Sequence, residues 1–232
     1  LPDVARVLPI PRELLSEGIQ RYGFHGLSCE SILQQLGDDM PKRLIIAHLG
    51  SGASVTAVMN GKSIDTSMGL TPSGGLVMGT RSGELDPGVL IYLIREKKLD
   101  AAMLEDMIDH RSGLLGISGI SSDMRRLHET ASINIGARLA IDMFCYSVRK
   151  QIAAMIAVLG GVDLIVFTGG IGENDGEVRG AICRGLDWAG VVLEDERDGR
   201  STPRCQVRVL ASQEDEQIAR HTRALALCGP SR

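Results

Sequence analysis

Asn60-Gly61 is the strongest turn signal in the chain, and it constrains the fold more than any other dipeptide. Both residues accept the left-handed backbone that a two-residue hairpin loop demands. β-prone runs flank the pair, Ala53 to Met59 before it and Lys62 to Thr66 after it. A further run, Arg43 to Leu49, is turned back into Ala53 by Gly50-Ser51-Gly52. Three consecutive antiparallel strands are therefore expected between residues 43 and 66.

The rest of the chain alternates. A short helix is expected near 11–19, and Ser28 is read as the cap of a helix running to about Leu36. Residues 67–88 hold six glycines and two prolines without periodicity. So long an irregular stretch inside a compact domain is usually functional or disordered. Helices follow near 88–97, 100–109 and 132–159. The last is amphipathic, with Leu139, Met143, Val148, Ile152, Met155, Ile156 and Leu159 near helical spacing, and Gly160-Gly161 as its C-cap. A strand at 162–167, a helix at 175–187, a strand at 206–211 and a helix at 214–227 complete the order. The pattern is βββ and then α, β, α, β, α, an α/β layered domain. No internal repeat or low-complexity linker interrupts it.

The apolar run Val162 to Phe167 leads into Thr168-Gly169-Gly170-Ile171-Gly172-Glu173-Asn174. It reads as a buried strand, a glycine-rich turn, and a helix beginning at Asn174 or Asp175. Glycines let the backbone turn tightly and approach a ligand. A helix start offers unpaired N–H groups and a positive dipole end, which suits a nucleotide or another anion. The familiar phosphate motifs fail here. Gly61-Lys62-Ser63 resembles the end of a Walker A loop, but position 56 is Thr and the segment lies in a hairpin. Gly170-Ile171-Gly172 opens a G-x-G-x-x-G, but position 175 is Asp, and antiparallel strands precede it.

Bulk properties exclude other classes. The 232 residues carry a formal net charge of −4 and only 3% aromatics, which argues against nucleic acid on both electrostatic and stacking grounds. Five scattered cysteines form no C-x-x-C pair, so neither a zinc site nor a disulfide framework is expected. A reducing cytoplasm fits that usage. No run approaches the roughly 18 apolar residues of a membrane span. The chain starts at Leu1 and enters Leu8-Pro9-Ile10-Pro11, which looks like a segment from the middle of a longer protein. A processed or engineered start is the alternative.

Several residues are candidates for chemistry, and each also has a plainer reading. Gly50-Ser51-Gly52 can form an anion-binding nest or a simple hairpin. His48, just before it, is taken alone more often structural. Arg81, in Thr80-Arg81-Ser82-Gly83, can offer phosphate a planar fork of donors or form a surface ion pair. His25 sits between glycines and can be a turn histidine. Asp123-Met124-Arg125 can equally be a helix cap with solvated charges. Glu214 stands at a helix start, where acidic residues are expected from the dipole alone.

Taken together, these segments resemble the acetate kinase family in order and spacing. The match runs through Arg21-Tyr22-Gly23-Phe24-His25-Gly26, His48-Leu49-Gly50-x-Gly52-Ala53-Ser54, Asp65-Thr66-Ser67-Met68-Gly69, Met78-Gly79-Thr80-Arg81-Ser82-Gly83 and Val166 to Asn174. It covers nearly the whole chain. The resemblance implies a ribonuclease-H-like domain of the superfamily shared with sugar kinases and actin. It implies reversible transfer of the ATP γ-phosphoryl to acetate, giving acetyl phosphate and ADP, with magnesium or manganese. Propionate or butyrate as acceptor, and a non-catalytic nucleotide-binding module, are the alternatives.

By resemblance, His25 and Arg81 match the family's transition-state stabilisers. His48, Leu49, Gly50, Ser51 and Gly52 match a nucleotide phosphate loop, and Asp123, Met124 and Arg125 a nucleoside-contacting triplet. Gly170, Ile171, Gly172, Glu173 and Asn174 match the second nucleotide loop. Glu214 matches the magnesium-associated glutamate, although Ser212-Gln213-Glu214 departs from the usual Thr-Asn-Glu. Ser51 stands where the family commonly has Asn. The resemblance further implies that residues 1–24 are an opening segment and 25–232 a C-terminal nucleotide-binding domain. The family's N-terminal domain, with its substrate-binding Arg and active-site Asp, has no counterpart here. A homodimer built through this half, with the 132–159 helix contributing, is also implied.

Overall fold

A computed structural model describes residues 1–191 and 205–228. In chain order the elements are α1 (Asp3–Arg6), α2 (Glu13–Ser16), α3 (Gly26–Leu36), β1 (Arg43–Leu49), β2 (Ala53–Met59), β3 (Lys62–Thr66), α4 (Pro87–Lys97), α5 (Ala101–His110), α6 (Gly113–Ser118), α7 (Met124–Thr130), α8 (Ile135–Leu159), β4 (Leu164–Thr168), α9 (Gly169–Asn174), α10 (Gly176–Cys183), β5 (Gln206–Val209) and α11 (Glu214–Cys228). Among the described residues the strands form one sheet in the order β3-β2-β1-β4-β5. The first three are antiparallel neighbours, as expected, while β4 and β5 run parallel to β1. This is the ribonuclease-H-like arrangement.

Strand alternation sorts the core into two layers. Ile45, Ala47, Val55 and Phe167 meet the α8 side chains Phe144, Val148, Ile152 and Met155 on one face. Leu44, Ile46, Leu164 and Val166 meet Ile32 and Leu36 of α3 on the other. Burying each such side chain stabilises by roughly 1.5–3 kcal/mol, which fixes α3 against the sheet. The same parity puts His48 and Ser54, Cα partners in the β1–β2 register, on the α3 side.

The structure corrects several expectations. Residues 11–19 hold only the short α2. The cap of α3 is His25, in the left-handed region at φ 62°, and Ser28 is buried inside the helix. Helix α8 begins at Ile135, where the Asn134 side chain accepts the Ala137 N–H at 2.9 Å, and it ends at left-handed Gly160 as expected. Of its expected apolar face, Leu139 and Met143 are 51% and 40% exposed. The buried stripe runs instead through Ala137, Ala140 and Phe144. Helix α6 was not anticipated, and α7 was anticipated only as a helix that Asp123 could cap, which it does.

The largest correction concerns 168–174. The segment is a helix from Gly169 onward, not a turn, and a second helix, α10, starts at Gly176 with Asp175 as its N-cap. Gly169 makes the whole turn in one residue at φ 79°. No helix among the described residues is long and apolar enough to cross a membrane.

Candidate active site

The carboxyl ends of β1 and β4 lie side by side, so both glycine segments meet there. A Cβ placed on Gly50 would lie 3.8 Å from the Gly170 amide and 3.9 Å from His48 Nε2. The β1–β2 turn is closed by Gly50 N–H donating to Gly52 O at 2.9 Å. Gly79 N–H donates to Ser51 O at 3.0 Å, anchoring the long glycine-rich loop to this turn. That loop is in turn held by the start of α6, where Leu114 and Leu115 N–H donate to Met78 O and Gly79 O at 2.8 and 3.0 Å.

Glu173 holds the second segment in place. Its Oε1 accepts from Gly169 N–H and from Ser212 N–H, each at 2.9 Å. One carboxylate thus ties the start of α9 to the loop before α11. Asn174 donates from Nδ2 to Gly170 O at 2.9 Å, which keeps the short helix wound.

His25 and His48 stack with ring centroids 4.1 Å apart and planes 22° from parallel. His25 Nδ1 is 3.0 Å from Ser54 Oγ, and His48 Nδ1 is 2.8 Å from Ser28 Oγ. Burial, with His48 and Arg81 adding to it and Glu214 opposing it, pulls His25 down to about 4. Burial likewise lowers His48, against the pull of Glu173. Both rings are therefore neutral at pH 7, each with one N–H to give.

Arg81 completes this cluster. A Cβ placed on Gly52 would lie 3.3 Å from both Arg81 Nη1 and His25 Nε2. The two groups converge over bare backbone that only glycine provides. Among the described residues Arg81 pairs with no carboxylate. Its nearest polar contacts are Pro72 O at 3.5 Å and Met78 Sδ at 3.8 Å. The surface ion pair allowed by its sequence context is not formed.

Two adjoining cavities open on this corner. One, of about 530 Å³, lies between Gly50-Ser51, Gly170-Ile171 and the Ser122–Arg125 wall. The other, of about 640 Å³, is lined by His25, His48, Gly169, Glu173 and Glu214 to Glu216. Gly170 and its neighbours separate them. Leu49 and Gly172 are buried beneath, and support the corner from the core side.

Asp123 caps α7, accepting Arg125 N–H at 3.0 Å, and also pairs with the Arg125 guanidinium at 2.9 Å. Met124 turns its side chain into the core. Sequence reasoning did not single out Ser28, Ser54, Ser212 and His128 as parts of the site. His128 Nε2 is 2.9 Å from Asp175 Oδ2, joining α7 to the cap of α10. The parity of His48 and Ser54 was available in the strand pattern, but the partners across α3 and the α11 loop were not.

Among the described residues no group of three or more His, Cys, Asp or Glu side chains could hold a metal. Glu214, at the first turn of α11 with Ser212 Oγ 3.4 Å away, shares an open cavity with Glu173, Asp215 and Glu216. That donor set fits magnesium, which keeps several waters and takes one or two carboxylates plus substrate phosphates.

Residues 1–222 match the acetokinase family. An acetate kinase of Rhodopseudomonas palustris (strain TIE-1) is 45% identical over 240 residues, covering 97% of this chain and 60% of that protein. Among solved structures, Porphyromonas gingivalis acetate kinase superposes with a TM-score of 0.89 at 37% identity, covering 97% of this chain and 61% of the other. A propionate kinase from Francisella tularensis subsp. tularensis SCHU S4 superposes with a TM-score of 0.88 at 38% identity and the same coverages. The chain thus spans 60% of the length of the curated relative it matches.

Proposed function

This chain belongs to the acetokinase family, and from that premise we propose that it supplies the nucleotide side of an ATP-dependent phosphotransferase acting on acetate. One observation carries the reading. An uncommitted arginine and a neutral histidine converge within 3.3 Å of one point over Gly52, where two glycine segments meet.

In this reading His48 to Gly52 and Gly170 to Asn174 hold the phosphates through backbone amides. Glu173 acts by fixing the second segment. Asp123 to Arg125 form the nucleoside wall. With the Ser54 hydroxyl donating to His25 Nδ1, Nε2 carries the proton and faces the transferring group. Arg81 neutralises its equatorial oxygens. A carboxylate acceptor is already ionised at neutral pH, so no general base is needed. Glu214, through water, is the residue that would hold magnesium or manganese, which would offset phosphate charge.

The carboxylate is expected to be presented by an N-terminal domain, as the family resemblance implies, with residues 25–232 acting as the nucleotide-binding domain. Calorimetric titration with ADP and magnesium tests the binding. An acetyl phosphate assay on the chain alone, and after adding a separately made N-terminal domain of an acetate kinase, tests the division of labour. Binding with little turnover alone, and turnover restored by mixing, is the expected result. Failure of the mixture would favour a non-catalytic binding module, and robust turnover by the chain alone would refute the division.

Propionate is the second reading of the acceptor. The identities of 37% and 38% to an acetate and a propionate kinase do not separate them. A homodimer is expected through the exposed Ile135, Leu139, Met143 and Tyr146 of α8, and sedimentation at two concentrations tests it. The cytoplasm is the compartment this reading takes, since Cys29, Cys145 and Cys205 are thiols, as a reducing environment keeps them.

A further inference from the structure

A line of hydroxyls, buried at Ser28 and half-buried at Ser212, joins the two halves of the site. Ser28 is fully buried on α3, with Oγ 2.8 Å from His48 Nδ1 and 3.2 Å from Ser212 Oγ. Ser212 Oγ also lies 3.4 Å from Glu214 Oε1. A hydroxyl has one proton to give. Ser212 therefore donates to Glu214 or to Ser28, never to both.

Two arrangements satisfy every group. In one, Ser212 donates to Glu214, Ser28 donates to Ser212, and His48 Nδ1–H donates to Ser28. His48 Nε2 then presents a lone pair. In the other, Ser212 donates to Ser28 and Ser28 donates to His48 Nδ1. His48 Nε2 then carries the proton. Of the two mixed patterns, one leaves the Ser28 proton without an acceptor, and the other sets the Ser28 and Ser212 oxygens lone pair to lone pair at 3.2 Å with no proton between them; both are costly. The ring is neutral in both, because burial holds it below the usual imidazole value.

We propose that Ser28 and Ser212 are positioning residues that pass the state of Glu214 to the His48 ring and so set its tautomer. While Glu214 keeps the Ser212 hydroxyl, His48 is Nδ1–H. When the carboxylate is engaged by a divalent cation, Ser212 turns to Ser28 and His48 becomes Nε2–H. That form is a donor on the side of Gly50 and the Gly170 amide. A cation on one side of the cavity thus arms a phosphate donor on the other, about two side chains away. The cation arm of this inference rests on the function proposed above, while the hydroxyl relay itself does not.

Tautomers are read by long-range nitrogen–proton correlation on ring-¹⁵N-histidine protein, with His48→Gln used to assign the signals. The free wild-type chain is expected to show His48 as Nδ1–H. Free Ser212→Ala is expected to show Nε2–H, since the Ser28 proton then has only His48 to serve. Glu214→Ala is expected to do the same by removing the competing acceptor, and it covers the case in which Ser212→Ala does not fold. Addition of ADP with magnesium is expected to convert wild type to Nε2–H and to leave both variants unchanged. One tautomer shared by free wild type and free variants would overturn the relay, whatever the nucleotide does. If calorimetry shows no binding of ADP with magnesium while the free proteins differ as expected, the nucleotide reading falls and the relay stands. If wild type binds the nucleotide without changing tautomer, the coupling is overturned.

Discussion

The glycine corner, proposed to take the phosphates, and the α7 wall, proposed for the nucleoside, face each other across one cavity, yet they are built by different physics. At the corner, a left-handed glycine, a carboxylate accepting two backbone N–H groups and a half-buried histidine stack specify one geometry several times over. At the wall, α7 presents Asp123 and Arg125 side chains that are 48% and 89% exposed, held mainly to each other. Exposed pairs of this kind contribute little to stability. The corner is thus positioned before a ligand arrives, whereas the wall has freedom to adjust to it. Substitutions at the corner should register in folding and binding together, and those at the wall in binding alone.

The sharpest test of that contrast lies within the corner itself. A Cβ on Gly169 would come within 2.8 Å of Leu49 O at a φ of 79°, whereas one on Gly170 would meet nothing within 4 Å. Gly169→Ala is expected to cost about 3 kcal/mol or more, from left-handed strain and overlap with backbone. Gly170→Ala should keep the wild-type urea midpoint and weaken binding of ADP with magnesium. Equal losses of stability would break the distinction between a glycine needed for the turn and one needed for the ligand.

Arg81→Ala comes next. Having no carboxylate partner among the described residues, Arg81 should be replaceable with little change in stability. Turnover restored by an N-terminal domain should fall about 100-fold or more, the usual consequence of losing a charge stabiliser at a transition state. A variant that unfolds but, where folded, turns over normally would move Arg81 from the chemistry to the scaffold. Glu173→Ala should do the reverse. It leaves Gly169 and Ser212 N–H groups without their acceptor, at a cost of about 1–3 kcal/mol, and weakens nucleotide binding through a loosened corner.

How much of this was legible beforehand follows the range of each interaction. The antiparallel start and the strand before Gly169 were readable because turn chemistry and alternation are local. Helix α9 was not, because what winds it is Glu173 reaching back to Gly169 and across to Ser212, thirty-nine residues away along the chain. Ser28 looked like a cap by residue type, yet His25 caps α3, and the serine is spent on His48. Leu139 and Met143 fit a helical stripe, but the stripe that packs on the sheet is offset toward Ala137 and Phe144, since small side chains let α8 approach. Of the site residues carried by sequence resemblance, His25, Arg81 and the two glycine segments lie together at one corner, while Asp123 to Arg125 form the opposite wall and Glu214 lines the second cavity. The hydroxyls that orient them come from three separate elements and leave no local signature.

Acidity separates corner from wall by a smaller margin. The folded chain holds His25 near 4, while the unfolded chain takes up that proton near 6.5. Stability is therefore full above about pH 6.5 and is lost as pH falls toward 4, with a slope approaching about one proton from this residue. His48 adds in the same direction. Urea midpoints between pH 7 and pH 4.5 should fall in wild type and fall less steeply in His25→Gln. An unchanged slope would mean that the ring is not buried neutral.

The smallest effects belong to the wall. Arg125 lies on the exposed face of α7 and its guanidinium pairs with Asp123, an exposed pair that contributes little, so Arg125→Ala should leave the unfolding midpoint where it is. Asp123 has a second task, since its carboxylate accepts the Arg125 N–H as the helix cap. Asp123→Ala should therefore cost about 1 kcal/mol, the ordinary worth of a cap, and Asp123→Ser should recover most of it because a hydroxyl caps as well. Serine does not restore a carboxylate for a nucleoside. If Asp123 contacts the ligand, Asp123→Ser will regain stability without regaining affinity for ADP. If affinity returns with the cap, the wall acts by holding α7 in place, and the nucleoside is recognised elsewhere in the cavity.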